Sequence, residues 1–597
     1  MAFFPPSFQK RIVFALCVWP LVIYIVFFEN IALNVNYVAY DDIHVLQIIE
    51  QWQKATNWRE QLDWLTVGFP EHRIVFTRLT VLLSYWFTGF VNLKTLMIIS
   101  NLLWVGQLGF LFGVFKKLHF AVQSNSSSSR PLPLVPSSLA YFIPICWILL
   151  CVHSFENIFW GTSSLGNFGL LFFVMAAGYF YTQSGLKSLI AALIFSLVAT
   201  FTYGNGLLTF LIGSFILLLT RRWRDLGSTV AFFAFAMFIY ALTRAHASPS
   251  GLDLTNLQNY GLALSCFFAF IGSSANFNVY APSSLVVWLS VAWGAVLLGG
   301  IVVLLMKNVK FKERKSQVPP LEGRDLGRGS VKRFKFELNQ IQLFALFLVL
   351  FVCLSALGVV FKRAEGDGLI GMFKGRYRMY PTWLLLVGYL LILNWGKWLR
   401  FRWFLPSVIG ISMVFNLLIL YYAIAPAVNN RRMAVAQEFN SMYNPDLLGL
   451  KMFDLTGEDF LRLQKLYNPP LFFKASTKDF ISPDSSLNTS GNIGLDSVYF
   501  VENNLYINYQ KDFIRPTKDF NDGAYIVLHS PQHTYMSAGI QQALPLKTFI
   551  RRGWYWDKGF TATFNRASVA KGNYGIYVLL RQDGINQLLD TQRRITF

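Results

Sequence analysis

The chain has 597 residues, of which 54% are hydrophobic and only 14% charged. That much apolar surface exceeds what a soluble protein of this length hides, and it indicates a polytopic membrane protein. A formal net charge of +21 would suit a nucleic-acid partner if it sat on a basic, aromatic-interleaved soluble module, but Lys and Arg lie in short stretches between apolar runs, the pattern that sets membrane topology, so nucleic acid is discounted.

Long apolar runs recur at 12–28, 96–115, 285–306, 341–360 and 383–393, several of them reaching the ~20 residues a spanning helix needs with their flanks. Seventeen Trp and 26 Tyr suit belts at the two interfaces. The five cysteines, Cys17, Cys146, Cys151, Cys266 and Cys353, lie in or beside apolar runs, which argues against a disulfide framework or a cysteine metal site. Residues 12–28 lack a small-residue cleavage site and read as a retained first helix rather than a signal peptide.

In chain order, Lys10 and Arg11 place the N-terminus in the cytoplasm. Residues 30–94 form an outer region with two juxtamembrane helices, at 43–52 and 74–87; the second carries Arg78 and is expected to lie flat on the outer leaflet. Lys116 and Lys117 open an inner linker over 116–136 with a Ser-rich run, and 141–151 returns outward to a loop at 153–167. Residues 169–181 go in, and 189–201 with 207–219 form a hairpin whose outer tip is Tyr203-Gly204-Asn205-Gly206. Arg221, Arg222 and Arg224 mark the inside, 230–242 exits, and charge parity makes 260–272 a half-inserted or surface helix. The basic stretch 307–338 is expected as a cytoplasmic loop beside anionic lipid, followed by an outward span at 341–360, an outer loop at 362–380, an inward span at 383–393 and an outward span at 404–422. The expected fold is a polytopic α-helical membrane protein of about eleven spans, residues 1–426, with a C-terminal extracytoplasmic domain at 427–597. That domain is a helical lead-in followed by short strands at 497–501, 504–509, 524–529, 561–564 and 575–580.

Four constellations carry possible chemistry. Asp41 and Asp42 lie just beyond the first span; a carboxylate there can take a proton from an acceptor or ligate a divalent cation. Two adjacent acids cannot point the same way on a helix, so one is expected to face a cavity and the other to anchor the backbone as an N-cap for the helix at 43–52; the plainer alternative is that the pair serves only as that cap. Glu71-His72-Arg73 precedes the flat helix and suits an acceptor or a phosphate, or plain interfacial capping. Lys374, Arg376, Tyr377 and Arg378 make a basic outer loop suited to a lipid phosphate. His153, Glu156, Asn157 and Trp160 combine polar groups with an aromatic and could hold a sugar. No nucleotide-binding, zincin or serine-hydrolase motif stands in suitable context.

An acidic motif after the first span, a His followed by a short amphipathic helix, an outer Arg376-Tyr377 before a late helix and a closing extracytoplasmic domain together resemble the GT-C superfamily of integral-membrane glycosyltransferases. Protein O-mannosyltransferases and the lipid A aminoarabinose transferase belong to it. The resemblance covers residue 11 to about residue 422, and the His-Pro-Pro form of the mannosyltransferases is absent. It implies an enzyme of the cytoplasmic membrane that transfers a sugar from a polyprenyl-phosphate donor to a glycan, lipid or protein acceptor at the outer face. In that scheme Asp41 or Asp42 is the base and Arg376 a donor-phosphate contact. ATP is not required, because the donor arrives already activated; no cofactor is assigned, and a divalent cation at the Asp pair is open. The competing expectations are a lipid-linked glycan polymerase or ligase, which needs arginines but no Asp pair, and a lipid or glycan transporter.

Overall fold

The computed structural model describes residues 6–32, 42–69, 72–124, 138–243, 251–253, 255–256, 258–278, 282–307, 310–315, 332–444, 480–481, 487–511 and 519–597. The helices are α1 (Pro6–Phe27), α2 (Asp42–Leu46), α3 (Ile48–Lys54), α4 (Trp58–Thr66), α5 (Val75–Thr88), α6 (Leu93–Ser124), α7 (Ile143–Leu149), α8 (Phe155–Phe159), α9 (Gly161–Tyr181), α10 (Leu186–Thr200), α11 (Leu208–Leu219), α12 (Trp223–Leu242), α13 (Gln258–Gly272), α14 (Ser284–Lys307), α15 (Gln340–Asp367), α16 (Met379–Trp395), α17 (Phe404–Tyr443) and α18 (Leu546–Arg552). The strands are β1 (Lys310–Lys315), β2 (Lys332–Glu337), β3 (Gly491–Asn492), β4 (Ser497–Val501), β5 (Asn504–Tyr509), β6 (Gly523–His529), β7 (Thr534–Ala538), β8 (Phe560–Asn565), β9 (Asn573–Gln582) and β10 (Ile585–Thr596).

Among the described residues eight helical segments are long and apolar enough to cross a membrane, and three shorter apolar helices join them. The protein is a multi-pass membrane protein with a C-terminal mixed β-sheet domain. Helix α5 has 14 residues, about 21 Å at helical rise, short of the ~30 Å hydrocarbon core. The basic stretch after α14 contains a two-stranded antiparallel ladder, with Lys310 opposite Glu337. The expected span at 404–422 continues unbroken as the 40-residue α17, and the expected lead-in through 466 falls partly outside the described residues.

Helix packing uses small residues where backbones approach. A Cβ on Gly272 would meet the Ser290 carbonyl at 1.9 Å and one on Gly294 the Phe268 carbonyl at 2.1 Å, so α13 and α14 cross backbone to backbone. Helices α6 and α9 share a seam in which Ser164 Oγ donates to Ser100 Oγ at 2.9 Å and the Trp104 and Phe168 rings stack at 4.8 Å.

The C-terminal domain adds two layers to α17. The sheet ordered β3-β10-β9-β6-β7 turns Tyr525, Val527 and Leu579 toward Val435, Ala436 and Phe439 of α17. Its other face turns Ile526, Leu528 and Val578 toward Leu505, Ile507 and Ala562 of the sheet ordered β4-β5-β8.

Two arginines of α17 join the layers. Arg431 Nε donates to Asn521 Oδ1 at 2.7 Å, and its Nη1 donates to the Asn30 carbonyl beyond α1. Arg432, fully buried, donates to Gln541 Oε1 at 2.7 Å and to the Phe520 carbonyl at 3.3 Å and lies 5.3 Å from the Trp556 ring centroid. Gly523 (φ +151°) leaves the room, since a Cβ there would meet the guanidinium at 2.6 Å. Arg432→Ala is expected to destabilise the purified protein by roughly 1–3 kcal/mol for each buried acceptor left without its donor, read as a lowered melting temperature. An unchanged melt would mean that these bonds do not hold the domain.

Candidate functional site

The candidate site forms around the first turns of α9. The Thr162 backbone N–H and hydroxyl both donate to Asp42 Oδ1, the former at 3.2 Å, and Asp42 is fully buried. A helix start leaves N–H groups without intrahelical partners and carries partial positive charge, so a carboxylate is well placed here and fixes α2 to α9. Leu93 packs on Gly161, where a Cβ would meet Leu93 Cδ2 at 3.0 Å, and the adjacent Lys94 is only 1% exposed. Sequence reasoning passed over Lys94; a lysine in the first turn of a long apolar helix was the available signal. Asp41 and Glu71, both singled out from the sequence, lie outside the described residues.

Tyr203, at the tip between α10 and α11, organises the second part. Its ring rests on Gly166, where a Cβ would meet Tyr203 Cε2 at 2.1 Å, and its centroid lies 4.6 Å from that of His72. The Gly204 N–H donates to His72 Nδ1 at 3.4 Å. Asn205 Nδ2 donates to Ser355 Oγ at 3.0 Å and to Tyr380 Oη at 3.3 Å. Gly206 completes the turn against the Ala199 carbonyl, 2.0 Å from where its Cβ would sit. The Tyr203–Gly206 stretch is therefore a tight turn that also supplies contacts to the site.

Arg376 faces this turn from the loop between α15 and α16. It is half-buried and interacts electrostatically with Tyr377, Tyr203 and Glu156. Burial works against its charge, but the oxygens of Tyr377, Tyr203 and Glu156 more than offset that, and its pKa is held above the ordinary arginine value. Glu156, on α8, lies against Gly375, where a Cβ would meet its Cδ at 2.6 Å. Asn157 donates to the Arg376 carbonyl at 3.3 Å and accepts from Asn167 Nδ2 at 2.9 Å. His72, Tyr203, Arg376, Tyr377, Glu156 and Asn157 thus come together beside the α9 start that Asp42 holds.

Other candidates from the sequence are engaged elsewhere. Arg73 is buried; its Nε donates to Thr243 Oγ1 at 2.6 Å, its Nη2 to the Thr243 carbonyl at 3.2 Å, and its guanidinium covers the Tyr240 ring at 4.3 Å. It fastens the end of α12. Lys374 pairs with Asp367 at 2.6 Å. Arg378, fully buried, donates to the carbonyls of Phe373, Asn276 and Asn278 at 3.1, 3.1 and 2.9 Å. Burial draws its pKa down to about 10, with Glu156 pulling the other way. His153 Nε2 lies 2.9 Å from the Asn276 carbonyl and 3.0 Å from Arg378 Nη1, and so belongs to this structural knot. Trp160, also buried, precedes α9, and its carbonyl accepts from Ser164.

Among the described residues no group of three or more His, Cys, Asp or Glu is placed to hold a metal ion. Asp42 Oδ1 is taken up by Thr162. The site sits near the end of the bundle that carries the β domain. Helix α8 packs on the turn ending α1, where Phe27 and Phe159 lie 6.1 Å apart, and the same turn offers the Asn30 carbonyl to Arg431.

Fold and site together define a multi-pass helical membrane protein with a C-terminal β-sheet domain and a polar, arginine-containing cluster near the junction of the two. No family model, no curated protein and no solved structure matches the chain.

Proposed function

We propose that the protein transfers a sugar from a polyprenyl-phosphate donor to a glycan, lipid or protein acceptor at the outer face of the cytoplasmic membrane, with the β domain on that side. The observation that carries this reading is Arg376. Of the three loop cations it is the half-buried one that lies 5.3 Å from the Tyr377 ring centroid and interacts electrostatically with both Tyr203 and Tyr377, whereas Lys374 is paired with Asp367 and Arg378 is bound by three carbonyls.

The chemistry asks little more. The acceptor hydroxyl oxygen bonds to the anomeric carbon, the bond from that carbon to the phosphate oxygen breaks, and polyprenyl phosphate leaves with the electron pair. The acceptor proton passes to a carboxylate. Arg376 meets the charge growing on the leaving phosphate, and His72 with Tyr203 lines the approach. With Asp42 engaged on α9, Asp41 is the base we propose.

The commitment of Asp42 to Thr162 also favours a second reading, a polymerase or ligase of lipid-linked glycans that relies on arginine alone. The test is the purified protein in liposomes with polyprenyl-phosphate sugars carrying a labelled glycosyl group. Label in an acceptor with stoichiometric release of polyprenyl phosphate is expected. Movement of intact donor across the bilayer with no cleavage would overturn the proposal in favour of a transporter.

A further inference from the structure

The sheet β4-β5-β8 is the layer farthest from α17, and the residues of its outer face are half-buried or exposed, none buried. Residues directly opposite in an antiparallel pair share a face. The register sets Ser497, Tyr499 and Val501 opposite Asn508, Tyr506 and Asn504, and these opposite Thr561, Thr563 and Asn565. Of the intervening residues, Leu505, Ile507, Ala562 and Phe564 point into the core, while Phe500 on the edge strand β4 is exposed. The nine outward positions thus carry two Tyr, three Asn, two Thr, one Ser and one Val, with no acid and no base, in a chain of net charge +21.

The polar groups are tied together across the strands. Thr561 Oγ1 donates to Asn508 Oδ1 at 2.8 Å, and Asn508 Nδ2 donates to Ser497 Oγ at 3.0 Å and to Tyr499 Oη at 3.4 Å. The Tyr499 and Tyr506 rings are nearly parallel, 17° apart, with centroids separated by 5.7 Å. Strand β4 is at the sheet edge and Tyr499 is 45% exposed, so among the described residues its far side has no neighbouring strand.

Tyrosine supplies apolar ring surface and a hydroxyl at low entropic cost, and Asn, Ser and Thr supply uncharged donors and acceptors. A polyanion would need Lys or Arg on this face, and a lipid surface would need basic and large apolar residues together. The complement of a fixed, neutral, hydroxyl- and amide-rich surface with a tyrosine pair is an uncharged polyol. We propose that this face binds a neutral glycan chain, with Tyr499 and Tyr506 stacking on the sugar and the Asn508 network meeting its hydroxyls. The inference rests on the sheet alone and stands or falls independently of sugar transfer by the helical part.

The test is titration of the full-length protein in nanodiscs with neutral hexasaccharides built from glucose, mannose and N-acetylglucosamine, beside a sulfated hexasaccharide. Saturable binding of at least one neutral chain is expected, with no binding of the sulfated one. Tyr499→Ala should weaken it about tenfold at unchanged melting temperature. Thr563→Glu, at an exposed position, should weaken it likewise and provides the reading if the tyrosine variant fails to fold. The proposal is overturned by silence across the neutral chains, by equal binding of the sulfated one, by binding that survives both folded variants, or by self-association that protects Tyr499.

Discussion

Replacing Arg376 by alanine is expected to cut transfer by about 10²–10³-fold, the loss typical when a preorganised donor to developing negative charge is removed. The loss should fall on the donor: the dependence of rate on polyprenyl-phosphate sugar should shift, while the dependence on acceptor stays nearly unchanged. Lysine at this position keeps the charge but loses the planar fork, so Arg376→Lys should recover only part of the rate. The neighbouring cations are internal controls. Lys374 is paired with Asp367 and Arg378 is bound by three carbonyls, so changing either should lower the yield of folded protein before it alters donor use. Equal weakening toward donor and acceptor, or no weakening, would remove the donor-phosphate role from Arg376.

That three arginines and a lysine with similar sequence settings divide so sharply shows which part of the site is legible from a linear chain. Apolar run length suffices for the helical architecture, because it is a local quantity. Strands β4 and β5 match their expected bounds to the residue, since alternation and the Glu502-Asn503 turn between them are local too. Strand β10 was missed although Asp583-Gly584, both with positive φ, makes the turn before it; its Asp590, Arg593 and Arg594 hide the alternation. Strand β7 was missed because four of its five residues are buried, leaving little alternation to read. Side-chain commitment is not local at all. Arg73 is bound by Thr243, 170 residues away, and Arg378 by Asn276, 102 residues away, so nothing near either residue marks it as occupied. Tyr203 joined the site for the same reason: its contacts with His72 and Gly166 depend on how α5, α9 and the α10–α11 turn meet.

The adjacent acids should separate cleanly under mutation. Asp42 is fully buried and accepts from the N–H and hydroxyl of Thr162, so Asp42→Ala leaves the start of α9 without its partner. A cost of about 1–3 kcal/mol is expected, read as a lowered melting temperature, with transfer falling only as folded protein is lost. Asp41→Asn should behave in the opposite way. As the proposed base its loss should slow transfer by about 10²–10⁴-fold, the usual contribution of general base catalysis, in a protein that melts normally. A well-folded Asp42→Asn protein without transfer, beside a fully active Asp41→Asn protein, would exchange the two roles. Full activity in both would leave catalysis to Arg376 and its neighbours, and would turn the mechanism toward a ligase acting on a lipid-linked chain.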